Sequence, residues 1–362
     1  GENIAEIWTA AWSLGLEWSE QHRGYHGSGQ FNMMHAWQLD RVFEDADAFD
    51  IYINLVIHNH GKFSDWSDQE WNHNPFNVKN GGYLETPEEY FTDPRALASF
   101  RKLMRYMVAR WGYSRRLFAW ELWSELDLTG TRSAPIRNYR RPEVVEWHRI
   151  MGQYVKDIDP YDHNVSTHVC GDYNHQNPEI ISLDEMDLCP VDAYHGSQDP
   201  LHIVDLMRRT AEFNNPYGKP VQITEFGGSA GATQGIKHLD DTLHASLWAS
   251  MCTPVAGTPF LWWWMVIEEE NFFPKFLALS RFMEGEDRRD PNFLPEQPEL
   301  RYGDETPQEG RVAVDAQCMK TGRRALGWIF VTKTFEETDP EGDPTVNGLQ
   351  LVLRDMAHET YA

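Results

Sequence analysis

Short apolar runs alternate along this chain with longer segments whose apolar residues recur at helical spacing. This is the pattern of a βα repeat built on a parallel sheet. The runs predict strands at Ile4–Ala11, Ile51–His58, Leu117–Ser124, Asn164–Cys170, Met186–Ala193, Pro220–Phe226 and Thr258–Met265. The amphipathic segments predict helices at about Ala36–Phe49, Asp93–Trp111, Pro142–Ile158, Leu201–Phe213 and Ile236–Cys252. Asp93 followed by Pro94 is a helix start, with Asp as the cap and Pro in the first turn. Strands in this number with helices between them fit a (β/α)8 TIM barrel, typically about 250 residues long, with one strand missing. Because the chain opens almost directly in a strand, the first barrel strand is expected to be the one lacking. A doubly wound open sheet is the rival fold, but no Gly-x-Gly-x-x-Gly follows an early strand.

After Arg281 the texture changes to a Pro- and Glu-rich stretch, Gly285–Glu309, which reads as a connector. Beyond it, Arg311–Gln317, Arg324–Thr332 and Leu349–Leu353 read as strands between Gly, Pro and Asp turns. The expected organisation is a catalytic-size barrel over 1–285, a connector over 286–310 and a partial β-sheet or β-sandwich domain over 311–362. The acidic loop Asp339–Gly348 lacks the spacing of a calcium-binding EF-hand and reads as an exposed turn.

Composition narrows the function classes. A formal net charge of -24, with no basic cluster carrying interleaved aromatics, opposes a nucleic-acid partner. The longest strongly apolar stretch, Thr258 to Ile267, is shorter than the roughly 20 residues a membrane span needs, so no membrane partner is expected. Cys170, Cys189, Cys252 and Cys318 have neither metal-ligand nor disulfide-scaffold spacing and read as buried thiols. The chain opens at Gly1 without a basic-then-apolar leader, so a signal peptide is expected to be absent or already removed. Nothing in the pattern speaks of oligomeric state. Fifteen tryptophans are the anomaly. Several, including Trp8, Trp12, Trp18, Trp66 and Trp71, stand beside polar residues near strand ends, where a flat ring can pack on the C–H face of a sugar or simply fill the core.

In a βα barrel the chemistry comes from the C-terminal ends of strands. Two carboxylates stand there, Glu125 after Leu117–Ser124 and Glu225 near the end of Pro220–Phe226. Carboxyls about 5 Å apart suit retaining glycoside hydrolysis, one attacking the anomeric carbon while the other protonates the leaving oxygen. Glu121, deeper in the first of these strands and on the same face by alternation, reads as structural and paired with an interior base. Asp40, Arg41, Glu44, Asp45 and Asp47 read as a solvated helix face, with Trp37 and Phe43 in the core.

The segments WELWSELD (120–127) and ITEFGG (223–228) resemble the acid/base and nucleophile motifs of clan A glycoside hydrolases, and their surroundings resemble the family 5-like cellulase and mannanase group. Further matches are NHGKFSDW (59–66), YFTDPRA (90–96), VARWGYSRRLFAWELW (108–123) and WWWMVIEEENFFPKFLALSRFM (262–283). The resemblance implies Glu125 as general acid/base and Glu225 as nucleophile. Tyr194 would orient the nucleophile, and Ser124 stands where clan members carry an Asn that contacts the sugar. It also implies a tryptophan floor, for which alternation puts Trp262 and Trp264 on one side and Trp263 on the other. Trp8 and the histidines His58 and His60 join the expected substrate-binding set. Glu6 stands where the family carries an arginine.

The implied activity is retaining hydrolysis of β-linked poly- or oligosaccharides, β-mannan or β-glucan first, with no metal or organic cofactor and with secretion to periplasm or medium. Two other readings stay open. One is a non-catalytic carbohydrate-binding protein on a decayed barrel, motivated by Glu6 and Ser124. The other is a zinc-dependent barrel hydrolase using His58 and His60 with His168 and His195.

Overall fold

The computed structural model describes residues 2–133, 137–170, 174–228, 235–302, 313–333 and 348–357. The chain divides into two compact units, one comprising Glu2–Asp192 with Phe213–Thr224 and the other Ala193–Glu212 with Glu225–Ala362.

The first unit alternates strand and helix: β1 (Ile4–Trp8), α1 (Met33–Phe49), β2 (Tyr52–Asn59), α2 (Pro94–Trp111), β3 (Leu117–Ser124), α3 (Pro142–Ile158), β4 (Asn164–Ser166) and the single turn α4 (Pro178–Ile181). The four strands form one parallel sheet in the order β1-β2-β3-β4, with Glu6 opposite Asn54, Val56 opposite Glu121 and Glu121 opposite Ser166. Local signals explain the helix ends. Asn32 caps α1 by accepting from the Met34 and His35 amides, and Asp93 caps α2 through the Arg95 amide with Pro94 in the first turn. The buried stripe of α2, Ala96, Phe100, Leu103, Met104, Met107, Val108 and Trp111, repeats at three- and four-residue steps. Trp111, Trp120, Trp123 and Trp147 are fully buried, so much of the aromatic excess is core.

β5 (Cys189–Ala193) pairs with β6 (Val221–Phe226), and α5 (His202–Asn214) lies between them in sequence. The second unit continues with α6 (Ile236–Met251), α7 (Trp264–Glu269) and α8 (Phe273–Phe282). Five strands follow: β7 (Leu294–Glu296), β8 (Glu299–Tyr302), β9 (Ala313–Lys320), β10 (Ala325–Lys333) and β11 (Leu349–Val352). β10, β9 and β7 form an antiparallel sheet, and β11 pairs antiparallel with β8. This is the small C-terminal β element expected from the sequence.

Several expectations change. Thr258–Met265 is not a strand: only Leu261 bridges to Phe226, and the backbone turns into a helix at Trp264. Asn164–Cys170 shortens to Ser166, although the His168 amide still donates to the Trp123 carbonyl and the His168 carbonyl accepts from the Leu126 amide. Ile4–Ala11 stops at Trp8, since the Ala10 carbonyl closes turns with the amides of Ser13 and Gly15. The presumed connector holds β7 and β8, and just before them the Arg288 guanidinium donates to the carbonyls of Ser250 and Thr253. The acidic face of α1 is partly engaged: Asp40 takes a bidentate contact from Arg110 at 2.8 and 2.6 Å, and Asp47 meets Arg115 and Arg116. Trp37 is exposed while Phe43 is buried. Of the loop Asp339–Gly348, all but Gly348 lies outside the described residues. Among the described residues no helix is long and apolar enough to cross a membrane.

Candidate active site

Glu125 follows the last residue of β3 with φ 53 and ψ 49, a left-handed conformation. A side chain with a Cβ pays about 1–2 kcal/mol for that backbone. The turn ends the regular strand at Ser124, and the His168 imidazole lies against Glu121 and also acts on Glu125. The next amide, Leu126, donates to the His168 carbonyl at 3.0 Å and anchors the turn.

Glu125 is buried, and its Oε2 lies 2.9 Å from Nδ1 of His60. The other ring nitrogen of His60, Nε2, lies 2.7 Å from Oδ2 of Asp68. Burial alone would push this imidazole down, but Asp68 and then Glu125 outweigh it and carry it up to about 9. Burial likewise opposes ionisation of Glu125, yet the imidazoles of His60 and His168 hold its carboxyl below the ordinary range. The segment bearing His60 is tied down by Lys62, whose buried ammonium donates to the carbonyls of Thr9 at 2.5 Å and Ile57 at 3.2 Å.

His58, expected to touch substrate, sits instead in the core. Its Nε2 meets the Tyr90 hydroxyl at 2.8 Å, and its ring packs against Phe63, Phe100 and Trp123. Ser124 is fully buried, and its Oγ has no partner among the described residues. Trp18 and Trp71 are core, Trp12 is exposed beside Trp8, and Trp66 carries the Arg137 guanidinium over its ring.

Beneath lies a buried acid cluster that explains Glu6. Oε1 of Glu6 accepts from the Trp8 indole at 2.7 Å, and Asn54 donates to Oε2 at 3.1 Å and to Glu121 at 2.5 Å. His168 meets Glu121 at 2.5 Å through Nδ1 and Asp192 at 3.4 Å through Nε2. Burial, then the Glu121 charge, pushes the Glu6 carboxyl up to about 8, so near neutrality Glu6 is the protonated acid. An acid raised in the folded state ionises first in the unfolded chain, so the fold loses stability as pH climbs from the carboxylate range towards 8. Glu6→Gln keeps an acceptor for Trp8 and does not titrate. Relative to wild type it should gain on the order of 1–3 kcal/mol at pH 8 and little at pH 4.5, read by urea unfolding at both values.

The strand β6 carries Glu225, buried near its end, with Oε2 accepting from the Tyr194 hydroxyl at 2.9 Å. A phenol that donates to a carboxylate favours its ionised form. Beyond Glu225 the Phe226 amide donates to the Phe260 carbonyl and the Trp262 amide to the Phe226 carbonyl, at 3.0 and 2.9 Å. Trp264 is exposed and begins α7, so the expected sharing of a face by Trp262 and Trp264 does not occur. The ring that packs by the strand end is Trp263, whose indole donates to the Gly227 carbonyl at 3.2 Å. Gly227 has φ 146, and a Cβ there would stand 2.8 Å from the Trp263 ring. Gly227→Ala should therefore cost about 1–3 kcal/mol, measured as a lowered unfolding midpoint.

The four histidines of the zinc reading have different partners. His58 is engaged by Tyr90, His60 by Asp68 and Glu125, and His168 by Glu121 and Asp192. His195 has its ring 4.9 Å from His202 and 5.9 Å from His238. Sequence reasoning missed Asp68 and Asn54, neither of which carries a local signal, and it left open which of Trp262, Trp263 and Trp264 faces inward.

No protein-family model matches the sequence, and no curated protein matches it. Among solved structures, an endo-β-1,4-mannanase from Thermotoga petrophila is similar, with a TM-score of 0.55 at 13% identity over 92% of this chain and 91% of that one. A hyperthermostable endo-1,4-β-D-mannanase from Thermotoga petrophila RKU-1 has a TM-score of 0.49 at 17% identity, covering 72% of this chain and 79% of its own. A glycoside hydrolase family 5 mannosidase from Rhizomucor miehei has a TM-score of 0.49 at 11% identity over 72% of each chain. The first likeness, taken with the parallel sheet and its alternating helices, shows that this chain shares the α/β fold of that mannanase.

Proposed function

We propose that the chain is a retaining β-glycosidase of β-mannan type, acting on poly- or oligosaccharides by double displacement. The observation that carries this reading is Glu225, a buried carboxylate near the end of a strand whose Oε2 accepts from the Tyr194 phenol. That environment suits a nucleophile, which must be ionised to attack. Glu125 is the partner acid/base: it gives a proton to the leaving oxygen as the glycosyl–enzyme bond forms, then takes one from the water that breaks that bond. The mannan preference follows the names of the structural neighbours, and a polymer substrate suits secretion. Glu6 supplies no argument for a decayed site, because at neutral pH it carries a proton within its own cluster.

The test is hydrolysis of β-mannan, β-glucan, xylan and aryl β-glycosides, with the first-formed anomer read by proton NMR. Release of the β-anomer, fastest from mannan, is the expected result. Release of the α-anomer would overturn retention, and failure to hydrolyse any of the panel would overturn the glycosidase.

A further inference from the structure

Resting on that reading, we infer that Glu125 does not hold its catalytic proton alone: it shares one proton with His60, and Asp68 keeps that proton on the imidazole until the leaving oxygen draws it through Glu125. His60 and Asp68 are thus positioning residues that act through the carboxylate.

The geometry is a chain of three groups. Asp68, largely exposed at 77%, lies 2.7 Å from Nε2 of His60, and buried Nδ1 lies 2.9 Å from Oε2 of Glu125. With a hydrogen-bonded carboxylate at Nε2 and a second carboxylate at ion-pair distance from Nδ1, the imidazole is best satisfied as the cation, which has a proton on each nitrogen. Asp68 has φ 43, a strained backbone for an acid, and it turns its carboxylate back onto the ring eight residues upstream.

Other charges stand nearby, among them the buried Lys62 ammonium two residues after His60. Glu70 approaches the same turn, with Oε2 accepting from the Asn59 amide at 3.2 Å. Glu125 is faced by His60, by the more distant His168 charge and by the Cys170 thiol, with Asp127 nearby. Burial and then the Glu125 and Asp127 charges push the Cys170 thiol up, so it stays protonated and adds no charge.

The step balances. As the bond from the anomeric carbon to the leaving oxygen breaks and the bond to Glu225 forms, the proton passes from His60 Nδ1 to Glu125 and on to the leaving oxygen. In the second half water adds to the anomeric carbon, the bond to Glu225 breaks, and the water's proton returns through Glu125 to His60.

The experiment is an NMR titration of the His60 ring in the full chain, its signal assigned by loss in His60→Asn. Asp68→Asn and Glu125→Gln are compared with wild type. Asn suits the left-handed backbone at this exposed position, so the fold is retained. A midpoint well above ordinary histidine in wild type, falling by about one unit or more in each variant, is expected. Where mannan is hydrolysed, the alkaline limb of kcat/KM should fall with it in Asp68→Asn. An ordinary midpoint that neither variant moves would overturn the shared proton. Coupled titration without turnover of any glycoside would uphold the proton pair and overturn the glycosidase instead.

Discussion

Glu225→Ala should abolish turnover of mannan while leaving the chain folded. Losing a covalent nucleophile elsewhere costs on the order of 10⁶-fold in kcat, and a loss on that scale is expected here. The small side chain leaves the Tyr194 hydroxyl without its carboxylate acceptor, a loss of one hydrogen bond worth about 1 kcal/mol. The thermal midpoint should therefore move far less than the rate. Initial rates on mannan, with circular dichroism of the same sample, separate the two effects. Residual activity within tenfold of wild type would show that Glu225 is not the attacking group.

Glu125→Ala should behave differently, because the need for its proton depends on the leaving group. General acid catalysis contributes about 10²–10⁴-fold, so mannan and alkyl glycosides should slow by that range. An aryl glycoside with an acidic phenol departs without protonation, and its first step should be nearly unimpaired. The following hydrolysis still lacks its base, so the glycosyl enzyme should accumulate and give a burst of phenol followed by a slow steady state. Stopped-flow release of the phenol checks this. Equal slowing of good and poor leaving groups would remove Glu125 from acid catalysis. Removing the carboxylate also takes away the ion-pair partner of His60, so this imidazole should titrate closer to its ordinary range in the same variant.

How much of this was legible in the sequence depended on the kind of interaction involved. Helices with a single apolar stripe and a Pro in the first turn, such as Pro142–Ile158, were read to the residue because local propensity and tertiary burial agree there. The run Thr258–Met265 was misread because consecutive tryptophans look like a buried strand whichever way the backbone turns, and the turn at Trp263 depends on the indole reaching the Gly227 carbonyl. The carboxylates Glu125 and Glu225 were legible because each closes an apolar run. Their settings were not: Asp68 reaches His60 across eight residues of loop, and Glu6 meets Glu121 and His168 only after three separate segments fold together. His58 and His60 have the same chemistry two residues apart, yet His58, in the strand, turns its ring to Tyr90, and His60, just past the strand's end, to Glu125.

The left-handed backbone at Glu125 has a consequence for rate as well as for stability. It fixes the direction of the Cα–Cβ bond before any sugar arrives, and the His60 contact limits the remaining torsions. In the acid/base role proposed for Glu125, a carboxyl with so few orientations to search would lose little freedom on reaching the transition state, so the entropy of alignment would be borne once, at folding, instead of at every turnover. A flexible Glu on an ordinary loop would need that ordering each time. On this account, relaxing the turn would show itself as a less favourable activation entropy, with substrate affinity unchanged.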